Sequence, residues 1–466
     1  MSNGISPEFL NELLHAVGKE NVIINAAELD KYGRDYTEDL FFSPSVATTP
    51  DTAEKVATIL ALCNKHRIPV YTRGAGTGLS GGSLPVKPGL VLSTEKLNQI
   101  ISIDTHNFQA TVQPGVINQH FRDAVEALNL YYPPDPASRG SCFLGGNIAH
   151  GSGGPRAVKY GTTRDYVLNL QVALPNGELI WTGANTVKNS TGFNLTQLMV
   201  GSEGLLGVVT AIVFRLVALP KKNSLLLVPF ATASEAAAAV NEVLLTGVVP
   251  SALELMEESG VKISSEATNT PFPIVNGAAF YLLIELDGDN ADALFADAEK
   301  ILPALEKSGA IDVLHADNSA LKEQWWKVRR SIGETVKSRS VYKEEDTVVP
   351  RAYLPQLLTS VKEIGQKYGF ESVCYGHAGD GNLHINILKN NLTDEQWNTE
   401  VTRGIVEIFE VCKRLGGTIS GEHGIGLVQK PYLNIVFDAE HFRLMRGIKT
   451  VFDPHHILNP GKWIDE

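Results

Sequence analysis

At 466 residues the chain exceeds the size at which one hydrophobic core stops growing, so two or three domains are expected. Its 52 acidic against 40 basic side chains give a net charge of -12, which argues against nucleic acid as a partner, while 43% hydrophobic residues are ordinary for a globular enzyme. The four cysteines, Cys63, Cys142, Cys374 and Cys412, show no C-x-x-C spacing, so iron–sulfur and dithiol chemistry are excluded and any electron transfer calls for an organic cofactor.

Residues 1–40 read as an N-terminal helical segment. The opening MSNGISPEFLNELLHAVG lacks a basic stretch followed by an apolar run, and no 18 consecutive apolar residues occur; a cytoplasmic protein is expected, with peripheral membrane contact left open. Residues 51–66 form a helix with Asp51 at its N-cap and Val56, Ile59, Leu60 and Cys63 on one face. A strand IPVYT leads into RGAGTGLSGGSLP (73–85), and strands follow around LVLST and ATVQPG. The segment VLNLQVALPNGELIWTG reads as a hairpin turning at Asn176-Gly177. After Pro220 the texture changes to strand, helix, strand, strand, helix, strand, a ferredoxin-like order. The ending DPHHILNPGKWIDE is too rich in turn residues for a helix and is expected to fold back.

Three glycine-dense runs stand out, at 73–85, 145–154 and 201–207. Gly74, Gly76, Gly78, Gly81 and Gly82 let backbone N–H groups converge into a nest for a pyrophosphate, which points to a dinucleotide. Gly76, Gly78 and Gly81 match G-x-G-x-x-G, but SGGSLPVKPG cannot open the helix that a Rossmann site requires. Near the C-terminus, GHAGDGNLHIN (376–386) and ISGEHGIG (419–426) gather His377, His384, Glu422 and His423. On a strand, His384 and Asn386 share one face while Ile385 and Ile387 bury the other. Two imidazoles and a carboxylate suit a divalent ion such as zinc, leaving His423 to move protons. The plainer alternative is four polar residues hydrogen-bonded beside tight turns.

The motifs RGAGTGLSGGSLP, PDPAS, GGNIAHGSGGPRAVKYGTTRDYV, GSEGLLGVVT, GHAGDGNLHIN, GEHGIG and LNPGK, in that order, resemble the vanillyl-alcohol oxidase/p-cresol methylhydroxylase flavoproteins. Within them the likeness is to the D-2-hydroxy acid dehydrogenases: D-lactate dehydrogenase, D-2-hydroxyglutarate dehydrogenase and the glycolate oxidase D subunit. The resemblance implies an α+β chain with a PCMH-type FAD-binding domain (41–220), a ferredoxin-like FAD-linked oxidase C-terminal domain (221–455) and a tail (456–466) returning to the FAD site. FAD would lie on Arg73, Gly74, Ala75, Gly76, Thr77, Gly78, Leu79, Ser80, Gly81 and Gly82. Pro136, Ser138, Cys142, Gly145, Gly146, Asn147, Gly153, Gly154, Tyr160, Gly161, Glu203, Gly204, Gly207, Val208, Val209 and Asn459 would line the rest. With no histidine in 73–85, noncovalent FAD is expected. Cys142 stands where the family commonly has Thr, Gly151 where it often has Asn, and His150 has no assigned role.

In the metal-dependent branch, the residues matching His377, His384 and Glu422 hold a divalent ion, usually taken as zinc. His423 would accept the hydroxyl proton, Asn386 would donate to the substrate, and Arg329 would clamp its carboxylate as hydride passes to flavin N5. The 2-hydroxyglutarate enzymes place Thr four and Lys fifteen residues after that arginine; here those positions are Gly333 and Glu344. Lys343 could substitute only by a one-residue slip that turns it to the other face. A monocarboxylate, D-lactate or glycolate, is therefore favoured over D-2-hydroxyglutarate, and an alkylglycerone-phosphate synthase-like transferase is a weaker alternative. The electron acceptor, whether quinone, electron-transfer flavoprotein, partner subunit or oxygen, is not legible; a homodimer fits the family.

Overall fold

The computed structural model describes residues 5–37 and 40–464, so the outermost residues of the expected N-terminal segment and tail lie outside that set. The chain forms two compact units, residues 1–153, 162–219 and 422–466 in one, and 154–161 with 220–421 in the other. This division departs from the expected break at 220 in two places. Residues 422–455 group with the first unit, as the tail 456–466 does, and 154–161 group with the second.

In the first unit, strands Val46–Thr48, Leu90–Ser93 and Val70–Arg73 run parallel, with Val22–Ile23 antiparallel at one edge. A second sheet of five antiparallel strands carries the expected hairpin between Val167–Ala173 and Leu179–Trp181. Its turn needs the positive φ of Gly177, +86°. The helix Ala53–His66 supplies Val56, Ile59, Leu60 and Cys63 to a core shared with strands of both sheets. Its N-cap is Thr52, whose hydroxyl accepts from Lys55 N, and not Asp51. Leu458 makes a parallel bridge to Val70, so the turn-rich ending folds back beside the strand that leads into the first glycine loop.

The second unit is built on seven antiparallel strands in the order Leu314–His315, Lys222–Phe230, Phe280–Gly288, Ala252–Glu257, Glu371–Gly376, Asn382–Leu388, Tyr342–Val348. The first four reproduce the ferredoxin-like order, with a further helix, Glu258–Ala267, that the sequence pattern did not resolve. Helices Glu258–Ala267 and Ser319–Lys337 pack Val261, Trp325, Trp326, Val328 and Ile332 onto one face of the sheet, against Leu225, Leu283, Met256 and Tyr375. Helices Ala233–Leu245, Ala291–Lys307 and Leu354–Tyr368 pack on its strands as well. Residues 154–161 join this unit through charge: Arg156 Nη2 lies 3.0 Å from Glu285 Oε1, and Lys159 Nζ 2.5 Å from Asp287 Oδ1. No helix among the described residues is long and apolar enough to cross a membrane.

Candidate active site

Neighbouring strands bring three expected residues to one face of the second unit. His384 and Asn386 point there from Asn382–Leu388, and Ile385 and Ile387, fully buried, point away. His377 enters at the end of the neighbouring strand, where its carbonyl accepts from Asp380 N and Asn382 N. The turn requires Gly381: φ is +83°, and a Cβ would stand 2.0 Å from Val349 O. The His377 and His384 rings meet edge to face, centroids 5.4 Å apart, with ring nitrogens within 4.8 Å of each other, close enough to share an ion.

Glu254, absent from the sequence reading, organises this face. It is fully buried, and its carboxylate accepts from His377 Nδ1 at 2.9 and 3.0 Å while Arg329 Nη2 lies 2.5 Å away. Burial alone would raise its pKa, but Arg329 and His377 overcome that and hold it below the usual carboxylate value. By holding the Nδ1 proton, Glu254 makes Nε2 the ring nitrogen of His377 that carries a lone pair suited to a metal. The only sequence signal was an acidic residue facing inward on the strand Ala252–Glu257. Arg329 itself is buried, its guanidinium 5.1 Å from the Tyr375 ring centroid, and its Nε has no hydrogen-bond partner among the described residues. Arg330 turns away onto Trp326. Among the described residues, both amide atoms of fully buried Asn386 lack a hydrogen bond apart from the neighbouring Tyr375 hydroxyl. Asp346 Oδ1 lies 3.6 Å from His384 Nδ1, and its carboxylate also accepts from Asn382 Nδ2 and Gly421 N. The residue after Gly421 is Glu422.

Glu422 and His423 belong to the first unit. There Glu422 Oε2 lies 3.1 Å from the point a Cβ of Gly153 would occupy, and the His423 carbonyl accepts from Ser80 Oγ at 3.0 Å. A Cβ on Gly146 meets nothing within 4 Å, and one on Gly74 or Gly78 nothing nearer than 3.7 Å. Gly146 borders open space, and in the same unit Thr72 Oγ1 and His150 Nδ1 are buried without a hydrogen-bond partner among the described residues. That arrangement fits a large polar cofactor.

Other residues expected on the cofactor also make protein contacts. The Glu203 carboxylate accepts from Ile425 N and Gly426 N at 2.8 and 2.9 Å. The Asn459 amide accepts from Thr72 N and donates to Glu203 O at 2.7 Å. Both residues hold positive φ, +51° and +45°, a strained conformation that fixes this corner. Val208 is buried in the first unit's core, Gly145 packs on Pro114, and Gly207 packs on Val172. Tyr160 donates to Asp287 Oδ2 at 2.8 Å in the second unit, and Gly161 follows it there. Lys462, also absent from the sequence reading, supports the first loop from the tail. Its ammonium donates to Gly81 O and Leu84 O, both at 2.6 Å, and burial pushes its pKa down to about 7.

Comparison with known proteins places the chain. Residues 44–183 match the FAD binding domain family, and residues 219–463 match the FAD linked oxidases, C-terminal domain. This chain belongs to the FAD-linked oxidases. The oxidase is 37% identical to the glycolate oxidase subunit GlcD of Bacillus subtilis, over 98% of this chain and 97% of that one. It is 36% identical to the D-lactate dehydrogenase of Anaerostipes hadrus, over 99% and 98%. Its fold is that of p-cresol methylhydroxylase solved with substrate bound, at TM-score 0.81 and 19% identity, covering 100% of this chain and 99% of that one.

The oxidase is expected to release its flavin on acid precipitation. All four thiols are buried, and burial raises the pKa of Cys142. Folding does bring one imidazole to the loop: His150 Cε1 lies 3.4 Å from a Cβ placed on Gly82. Flavin that stays with the precipitated chain in the wild type but not in His150→Ala would overturn the noncovalent reading and identify the attachment point.

Proposed function

We propose that the oxidase converts a D-2-hydroxy monocarboxylate, D-lactate or glycolate, to its 2-oxo acid, using noncovalent FAD and a divalent ion on His377, His384 and Glu422. The observation that carries this reading is the single sheet face on which Arg329, His377, His384 and Asn386 stand together around buried Glu254. When bound, FAD supplies the two-electron acceptor and the ion a Lewis acid that makes the hydroxyl more acidic. Arg329 holds the substrate carboxylate with its planar fork, and its uncommitted Nε is suited to that task. The Asn386 amide donates to the substrate oxygens, which satisfies a side chain otherwise buried with little partnership. His423 takes the hydroxyl proton, so that the Cα hydrogen can leave with its electron pair. Glu344, in the position where the 2-hydroxyglutarate enzymes carry lysine, supports a monocarboxylate. It is no solvated surface charge, because its side chain is only 7% exposed.

Dye-linked reduction with a panel of D- and L-2-hydroxy acids tests class, stereochemistry and substrate together. D-lactate or glycolate is expected to give the highest kcat/KM, with the L-acids and D-2-hydroxyglutarate poor. A preference for D-2-hydroxyglutarate would overturn the substrate assignment, and inactivity with every acid would overturn the reaction class.

A further inference from the structure

The Arg329 helix ends on another cation, Lys337. Lys337 lies about two turns beyond Arg329, and its ammonium pairs with the Glu344 carboxylate. Glu344 faces Asn386 across the strand pair and accepts from the Tyr375 hydroxyl at 3.2 Å. One of its carboxylate oxygens lies within 4.8 Å of a His384 ring nitrogen. The Tyr375 ring in turn sits 5.2 Å, centroid to centroid, from the His384 ring. Glu344 therefore stands beside the proposed site, and the cation that balances it comes from a helix that strand spacing could not reveal. Lys343 is not that cation. Its Nζ reaches the Trp397 carbonyl at 3.2 Å and lies 5.0 Å from the Trp397 ring centroid. At Gly333, one turn after Arg329, the Tyr375 hydroxyl takes the space of a side chain, 2.5 Å from where a Cβ would stand.

The geometry points to a masked carboxylate subsite: Lys337 is competent to bind the distal carboxylate of a five-carbon 2-hydroxy diacid, and the chain's own Glu344 occupies it. On this account the preference for monocarboxylates comes from an internal competitor and not from a missing cation. The inference rests on the proposed 2-hydroxy acid chemistry and adds the residue pair that sets its substrate range. A low-exposure ammonium deprived of its carboxylate is costly to leave unpaired, so an incoming carboxylate gains what Glu344 gave up.

The test uses FAD-loaded enzyme and the 2-oxo acids pyruvate and 2-oxoglutarate, whose binding is measured by titration calorimetry without turnover. Glu344→Gln is expected to tighten 2-oxoglutarate about 10- to 100-fold relative to pyruvate, the worth of one charge-assisted contact. The gain should vanish when Lys337→Met is added. Unchanged relative affinity in Glu344→Gln, or a gain that survives the loss of Lys337, overturns the subsite. Should the Gln variant fail to hold FAD, Glu344→Ser, which also frees Lys337, is read in the same way. A wild type that oxidises no 2-hydroxy acid would sink the functional reading alone, because the affinity ratio is read independently of catalysis.

Discussion

Arg329→Ala is expected to lower kcat/KM for every 2-hydroxy acid by about 30- to 1,000-fold, roughly 2 to 4 kcal/mol, the worth of a charge-assisted clamp. The loss should appear in both KM and kcat, because a carboxylate held by a planar fork also fixes the Cα hydrogen relative to the flavin. A second effect follows from the position of the arginine. Its Nη2 lies 2.5 Å from Glu254, which is fully buried, so truncation leaves a buried carboxylate facing the His377 Nδ1–H without its guanidinium. Breaking such a pair costs about 3 to 5 kcal/mol of stability. Arg329→Lys separates the two roles. A lysine restores the charge beside Glu254 but not the two parallel donors, so the melting temperature should recover while KM stays high. Steady-state kinetics and thermal melts on both variants provide the check. Unchanged kcat/KM in Arg329→Ala would place the substrate carboxylate elsewhere.

Removing the divalent ion, by chelation or by His384→Ala, is expected to slow anaerobic flavin reduction by about two orders of magnitude or more, since Lewis-acid stabilisation contributes several kcal/mol. FAD should remain bound, because the glycine loop that would hold it lies in the other unit of the chain. Glu254→Gln is expected to weaken metal retention about 10- to 100-fold, because the amide no longer enforces the Nδ1–H tautomer of His377. Metal content by elemental analysis, the flavin absorbance spectrum and stopped-flow reduction read these effects separately. Full activity in metal-free protein would leave the histidines as direct hydrogen-bonding groups.

How much of this was legible depended on the range of each interaction. His384 and Asn386 could be assigned to one face because a strand alternates every residue, a property of adjacent positions. The Gly74–Gly82 nest was readable because freedom of φ belongs to glycine itself. The N-cap was missed by one position, since Asp51 and Thr52 are both good caps and only the bond to Lys55 N distinguishes them. Glu203 and Asn459 spend their side chains on backbone groups of their own unit, a use that spacing does not reveal.

The sequence by itself determined the hairpin at Asn176-Gly177, the ferredoxin-like element order, the glycine loops and the chemical inventory of histidines, carboxylate and arginine. Each follows from periodicity or from the intrinsic conformational range of a residue. The tertiary structure alone decided which charges meet. Glu254 reaches His377 across 123 positions of chain, and the Lys462 ammonium reaches Gly81 across 381. Lys337 neutralises Glu344 from a helix packed over the strand's face. Electrostatic pairing depends on separation through space and on burial, and neither is encoded in the spacing along the chain.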